Sequence, residues 1–334
     1  MTSFVSFSAE QRIRKENFLL KLNKLLDWEK IRKRLKKLYK KDEEDNGGAR
    51  PYDPVKMFKA VLLGQWYSLS DPALEEALCV RLDFMMFTGF ELLEDCPDET
   101  TLCRFRNRLV EKNLDKKLFK EINFQLEHLG LKIREARGAI IDATIIESSA
   151  RPKKQIEIQE DRKEEKIEYS YQIKESKDPD SHWLKKGKRC FFGYKGFICV
   201  DDRNGFINKI KVEPANVAEI NNMEELIEGI EAERVYADKG YCSKRNKQIL
   251  KEKNYRDGIM QKAVKQQGLT KWEKLRNKLI SKRRFRVEQC FGTIKRRFNF
   301  SRASYLGKAK VRGQFYFKAI CYNLLKGIRM IEVS

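Results

Sequence analysis

Four residues late in the chain have the types and spacing to handle a phosphate group and a metal ion together. They are Ser281, Arg284, Glu288 and Lys295, inside the run SKRRFRVEQCFGTIKRRF. Arg284 to Glu288 is a step of four and Glu288 to Lys295 a step of seven, so all three leave one face of a helix. Between Lys262 and Arg312 there are 17 lysines or arginines but only two acids, Glu273 and Glu288. Glu288 is thus a lone carboxylate in a strongly positive field. It can pair with Arg284, or it can hold a divalent cation beside bound phosphate.

Two further acids stand in apolar surroundings. Asp142 interrupts the strand-like run GAIIDATII, where a bare buried carboxylate is costly and needs partners. Asp238 ends the apolar run ERVYAD and is followed by Lys239-Gly240-Tyr241. Ligands in open α/β sheets gather at such strand ends. Two strand aspartates and one helix glutamate form an oxygen-only set suited to Mg2+, with Mn2+ as a substitute. Two such ions can clamp an in-line phosphoryl displacement. Singly, a strand-end aspartate is more often a turn cap and a helix glutamate a surface ion-pair partner. Their combination in a strongly basic chain is the more specific signal.

The elements that must position these residues can be read from composition and periodicity. A chain of 334 residues has room for about two domains. Its formal charge of +22 favours a polyanionic partner, above all nucleic acid. No apolar stretch approaches a membrane span. The start, MTSFVSFSAEQR, lacks the apolar core of a signal peptide, which suggests a cytoplasmic protein associated with the nucleoid and no membrane partner. The eight cysteines are scattered without a C-x-x-C pair, against structural zinc and a disulfide framework. His128 and His182 are too few for a histidine metal site, so any metal would need carboxylates.

Residues 1–135 read as helical. Phe18, Leu22, Leu25, Ile31, Leu35 and Leu38 recur at helical spacing. A loop, KKDEEDNGGARPYDP, precedes a helix capped at Asp53-Pro54, and others start at Ser70-Asp71-Pro72 and after Pro97-Asp98. Such short capped helices suit a helix-turn-helix-like DNA module or a plain helical bundle. The texture changes at Gly138. Strands are expected at GAIIDATII, at about 191–201, at 206–212 beyond a turn at 202–205, at ERVYAD and at about 256–260. Helices are expected at about 217–230 and 243–253, along the basic run carrying Glu288, and at about 309–330, the last amphipathic with Val311, Phe315, Ala319 and Tyr322 on one face. Residues 151–182 are highly charged and read as an exposed, partly disordered insertion. The order predicts an α/β fold with a mixed sheet flanked by helices, spanning 136–334 and preceded by an all-helical domain at 1–135.

These motifs resemble the DDE transposases of the insertion sequence 5 family, within the larger insertion sequence 4 and 5 assemblage. YDPVKMFKAVLLGQWYSLSDPALEEAL and PDETTLCRFRNRL are similar to that family's N-terminal region. IIDATIIESS resembles its first aspartate motif, FGYKGFICVD and VEPANV the following strands and turn, VYADKGY the second aspartate motif, and NKLISKRRFRVEQCFGTIKRRF the glutamate region. The family pattern of Tyr, two residues, Arg, three residues, Glu, six residues, Lys maps onto Ser281, Arg284, Glu288 and Lys295, with serine standing in place of tyrosine. The resemblance covers nearly the whole chain. It implies a ribonuclease-H-like catalytic domain with Asp142, Asp238 and Glu288 as metal-binding triad. It also implies binding to terminal inverted repeats, hydrolysis at the transposon ends and attack of the freed 3′-hydroxyls on target DNA. A homodimer is expected on paired ends. A transposase-derived DNA-binding protein with a silent nuclease is the alternative function.

Further DNA contacts are expected from other residues. Arg284 and Lys295 are phosphate holders by their place on the helix face. Lys239, Lys195 and Arg286 touch phosphate or are ordinary surface charges. Tyr241 and Trp183 stack on a displaced base or pack internally. Arg104, Arg106 and Arg108 give the helix LCRFRNRLV a basic face.

Overall fold

A computed structural model describes residues 13, 17–39, 51–91, 94–133, 135–152, 154–161, 166–173, 175–263 and 268–333. Among the described residues seven α-helices precede the first strand: α1 (Phe18–Leu25), α2 (Trp28–Leu35), α3 (Pro54–Tyr67), α4 (Asp71–Val80), α5 (Leu82–Thr88), α6 (Glu99–Glu111) and α7 (Leu114–His128). The expected starts hold. Asp53, Ser70 and Asp98 each accept from backbone N–H groups of the first turn, satisfying donors that have no partner within the helix. The loop expected before Asp53 lies largely outside the described residues.

Beyond residue 135 come β1 (Ala136–Glu147), β2 (Lys154–Asp161), β3 (Lys166–Ile173), β4 (His182–Lys186), β5 (Arg189–Asp201) and β6 (Ile207–Pro214). They are followed by α8 (Met223–Ile227), β7 (Ala232–Ala237), α9 (Lys244–Glu252), β8 (Arg256–Ile259), α10 (Lys271–Arg296) and α11 (Lys308–Val333). One mixed sheet runs β4-β5-β1-β7-β8, and β6 joins the rest of β5 beside β4. The β1–β5 and β5–β6 pairs are antiparallel, whereas β7 lies parallel to β1 and β8 parallel to β7. An antiparallel meander continued by two parallel crossovers is the ribonuclease-H-like arrangement. The strands alternate between two cores. Ile140, Ile198, Val200 and Tyr236 face α10 and α11, while Ala139, Ile141, Phe197, Val235 and Ala237 face α8 and α9.

Three elements depart from the sequence expectation. The helix expected at 217–230 is a 3-10 turn, Glu219–Asn222, followed by the short α8; Gly229, at φ +64°, follows its end. Within the charged stretch 151–182, expected to be partly disordered, β2 and β3 pair antiparallel as a separate ribbon. Their charge masks a period-two alternation, as in QIEIQ. Finally, α11 is not amphipathic in place. Phe315, Tyr316, Phe317, Ala319, Ile320, Cys321, Tyr322, Leu324 and Leu325 are all buried, because the helix runs between β6 and helices α1, α3, α6 and α7.

This last feature bears on the boundary expected at residue 135. Gly313 lets α11 approach α6 so closely that an added Cβ would lie 2.3 Å from Val110 Cγ2. Asn323 joins three elements: its Nδ2 donates to Asn123 Oδ1 of α7 (2.7 Å) and to the Ile207 carbonyl (2.9 Å), and its Oδ1 accepts from Ile207 N–H. The helical layer therefore closes its core with the chain's last helix. Among the described residues no helix is long and apolar enough to cross a membrane.

A fragment ending at residue 135 is accordingly expected to lack cooperative unfolding, and addition of a peptide spanning 308–333 should restore it; a sharp thermal transition in the fragment alone would contradict the shared core. A second outcome concerns Lys318, buried on α11 with its ammonium donating to the Gln65 carbonyl at 2.8 Å. Burial pushes its pKa down to about 8 from an ordinary 10.5. The unfolded chain then holds more protons between those values, so this group makes stability rise as pH climbs from about 8 to about 10.5. Below pH 8 its charge costs up to about 3 kcal/mol. Lys318→Met should raise stability at pH 7 by about 1–3 kcal/mol and flatten that alkaline rise, as denaturant titrations at several pH values can show.

Candidate active site

Sheet register brings Asp142 and Asp238 together. Ile140 of β1 pairs with Tyr236 of β7, so the residues two further along each strand stand level and on one face. That face is the one covered by α10. This helix opens with a capping box between Thr270 and Glu273 and buries Asn277, Ile280, Val287, Phe291 and Ile294. Arg284 lies on the same heptad stripe, between Ile280 and Val287. Its guanidinium is therefore carried inward instead of to solvent.

Arg284 bridges the two acids. Nη2 donates to Asp142 Oδ2 at 2.7 Å and Nη1 to Asp238 Oδ1 at 3.4 Å. The expectation had paired Arg284 with Glu288 or with phosphate; in the DNA-free protein it is held by the aspartates. Burial raises the Asp142 carboxyl pKa, the Arg284 charge works against that, and Asp238 adds to it. Arg284 Nε is buried without a partner.

Glu288 stands one turn farther along α10, exposed at the flank of the stripe, with Ser281 seven residues before it and Lys295 seven after. Among the described residues it has no ion-pair partner, and no three metal-ligating side chains converge. The structure thus unites two members of the expected triad around a cation and leaves the third outside. Two carboxylates already converging on one positive group form a donor set suited to a hard divalent ion. The fit requires the guanidinium to move.

Beside the aspartates, along the part of β1 beyond its pairing with β7, lies a cleft of about 540 Å³. Its walls include Lys186, Lys195, Lys295, Glu147 and Glu219. Lys195 is nearly buried; its ammonium donates to the Val217 carbonyl at 2.8 Å and lies 3.9 Å from Glu219. Burial lowers the Lys195 pKa, with Glu219 opposing. Burial and then Lys186 lower that of Lys295, with Glu147 opposing. A tight group of cations only partly matched by acids is a setting for a phosphate oxygen.

Other expected contacts fall into three groups. Arg104, Arg108 and Lys239 are exposed and available, and Trp183 is 46% exposed with Arg151 stacked over its ring. Arg286 lines a different cleft with Arg203, Lys326 and Arg329. Two residues cannot serve as expected. Tyr241 is fully buried, so it stacks on no base. Arg106 is buried, bonded through both terminal nitrogens to Asp71 (2.6 and 2.9 Å) and stacked on Tyr305. Its neighbours Arg104 and Arg108 carry the exposed side of that helix. Sequence reasoning missed Lys186 and Glu219. The latter follows the turn PANVA, where an acid looks like an ordinary first-turn residue.

The family described as Transposase DDE domain matches residues 133–324, and that described as Transposase domain (DUF772) matches residues 7–108. The transposase for insertion sequence element IS1106 of Neisseria meningitidis serogroup B is 41% identical over 231 residues, 69% of this chain and 78% of that one. A cryo-EM structure of a piggyBac transposase synaptic complex with hairpin DNA aligns with a TM-score of 0.48 and 10% identity, over 95% of this chain and 76% of that chain.

Removing the bridging cation should expose two like charges to one another. Arg284→Gln is expected to lower stability in EDTA by about 1–3 kcal/mol, less than for a fully buried pair because Asp238 is about one-third exposed. Mg2+ should then raise the melting temperature more in this variant than in the unaltered chain. An equal Mg2+ response in both proteins would show that Arg284 does not compete for the metal position.

Proposed function

The chain belongs to the DDE transposase family, and on that premise we propose that it binds the terminal inverted repeats of its insertion sequence and cuts and joins DNA at Asp142, Asp238 and Glu288. It is a transposase of an insertion sequence. The observation that carries the proposed centre is the level placement of Asp142 and Asp238 on adjacent parallel strands around one cation. Mg2+, or Mn2+ in its place, is the proposed cofactor. When bound it would supply positive charge to the attacking and leaving oxygens.

The chain's own residues set the geometry. Asp142 and Asp238 would hold the ion from the strands, and Glu288 would complete the set from α10. Arg284, released from the aspartates, donates to a non-bridging oxygen of the scissile phosphate. Lys295, on the same helix flank as Glu288, and Lys195 and Lys186 on the cleft wall hold adjoining phosphates. In the first step a water oxygen bonds to phosphorus and the bond to the 3′-oxygen breaks, leaving a 3′-hydroxyl and a 5′-phosphate. In the second the freed 3′-hydroxyl attacks a target phosphodiester, displaces the target 3′-oxygen and loses its proton. The phosphodiester count is unchanged by the second step. Positioning and charge supply most of the acceleration in such transfers.

The helical region, with exposed Arg104 and Arg108 on α6, is proposed to read the repeat. Two copies are proposed to pair the two ends. The net charge of +22 serves the shared electrostatic part of both contacts.

Asp142→Asn, Asp238→Asn and Glu288→Gln should each reduce strand cleavage by at least about 10²-fold while duplex affinity changes little, since these acids read no base. Nicking of terminal-repeat DNA and gel shifts with repeat and scrambled duplexes measure both quantities. Cleavage at the unaltered rate in one variant would remove that residue from the centre, and equal affinity for the two duplexes would remove repeat recognition.

A further inference from the structure

Around the aspartates the structure holds one more acid and one buried hydroxyl that the DDE set does not include. Glu219 opens the 3-10 turn after β6. Its carboxylate lies against the turn that carries Asp238: a Cβ added at Gly240 would sit 2.8 Å from Glu219 Oε2. Its other oxygen is 3.9 Å from the Lys195 ammonium. Asn246 ties the two turns together, donating to the carbonyls of Ile220 (3.0 Å) and Tyr241 (2.8 Å). Glu219 therefore lies between the Asp238 turn and Lys195, at the edge of the cleft that also contains Lys186 and Lys295.

The second observation is independent. Tyr241 is 0% exposed and its hydroxyl has no hydrogen-bond partner. A buried hydroxyl without a partner is costly. Burial raises its pKa well above the ordinary value, and Asp142, Glu219 and Asp238 raise it further. The buried phenol thus lies within electrostatic reach of the acids of the centre, with Arg284 opposing them. Burial likewise raises the Glu219 carboxyl, Lys195 opposes this, and Asp142 and Asp238 add to it.

We propose that Glu219 is a positioning residue of this centre: it braces the Gly240 side of the Asp238 turn, holds Lys195 on the cleft wall, and adds a negative charge that strengthens cation binding by Asp142 and Asp238. This rests on the metal-binding reading above. It assigns Glu219 no contact with the reacting atoms. A side chain at Gly240 would displace the Glu219 carboxylate, which gives a way to move that group without changing its charge.

The test is Mn2+ binding to the full chain without DNA, followed by the loss of the free-ion EPR signal. Unaltered protein is compared with Glu219→Gln, Gly240→Ala, the double variant and Asp142→Asn. Glu219→Gln should raise the Mn2+ dissociation constant about threefold to tenfold, as expected for one partly screened charge near the ion. Its melting temperature in EDTA should stay close to that of the unaltered chain. Gly240→Ala should weaken binding in the same direction, and the double variant should bind no more weakly than the worse single one. A constant within twofold of the unaltered value in Glu219→Gln, with binding abolished in Asp142→Asn, overturns the proposal alone. Multiplying effects in the double variant overturn the contact between Glu219 and Gly240. Should Glu219→Gln fold poorly, Gly240→Ala decides, and unchanged binding there overturns the bracing role. Absence of saturable binding in the unaltered chain, or full binding in Asp142→Asn, overturns the metal-binding reading together with this proposal.

Discussion

Two carboxylates set side by side in an apolar sheet need a cation between them. Asp142 and Asp238 impose that requirement, because β1 and β7 run parallel with Ile140 opposite Tyr236. Either charge could be relieved by taking up a proton, and burial moves Asp142 that way. The fold instead places a guanidinium there. Arg284 occupies a position on α10 where the heptad would otherwise call for an apolar residue, between Ile280 and Val287. A charge on a buried stripe is tolerated only with partners, and the two aspartates are those partners. The same contact that stabilises the free protein stands at the position proposed above for the ion.

The wider architecture keeps α10 in that position. Its start is set by the Thr270–Glu273 capping box, and its apolar stripe packs on β1, β5 and β7. Residues just beyond α10 add to the end of β1: Glu147 N–H donates to the Ser301 carbonyl and Ala303 N–H to the Glu147 carbonyl. The following helix, α11, then passes between β6 and the N-terminal helices. The helical layer and the catalytic sheet thus share one helix and one continuous core. Arg104 and Arg108 are mounted on a layer packed against the same helix as the sheet, and not on a separate, loosely tethered module.

Much of this was legible in the sequence because it is local. Apolar runs marked the central strands, Asp53, Ser70 and Asp98 marked helix starts, and acids interrupting or ending strands marked Asp142 and Asp238. Long-range facts were not legible. Periodicity gives α11 an apolar face, yet cannot say that a second layer covers the remaining sides. Arg284 shows a step of four to Glu288, which suggested a local pair. Its actual partners lie 142 and 46 residues away. Arg106 and Tyr241 were misread for the same reason: an arginine on a helix and a tyrosine after a strand look available until Asp71, Tyr305 or the sheet core covers them. Glu219 gave no signal at all, since only the close approach of Gly240 distinguishes it from a first-turn acid.

One position between Asp142 and Asp238 is held by Arg284 in the free protein and, as proposed, by a divalent ion in the working complex. The most direct measurement is a crystal structure of the full chain bound to terminal-repeat DNA with Mn2+, using anomalous scattering to locate the metal. The expected result is a Mn2+ peak coordinated by both aspartates, with the Arg284 guanidinium moved onto a phosphate oxygen. Arg284 still bridging Asp142 and Asp238, with Mn2+ bound elsewhere or absent, would contradict it.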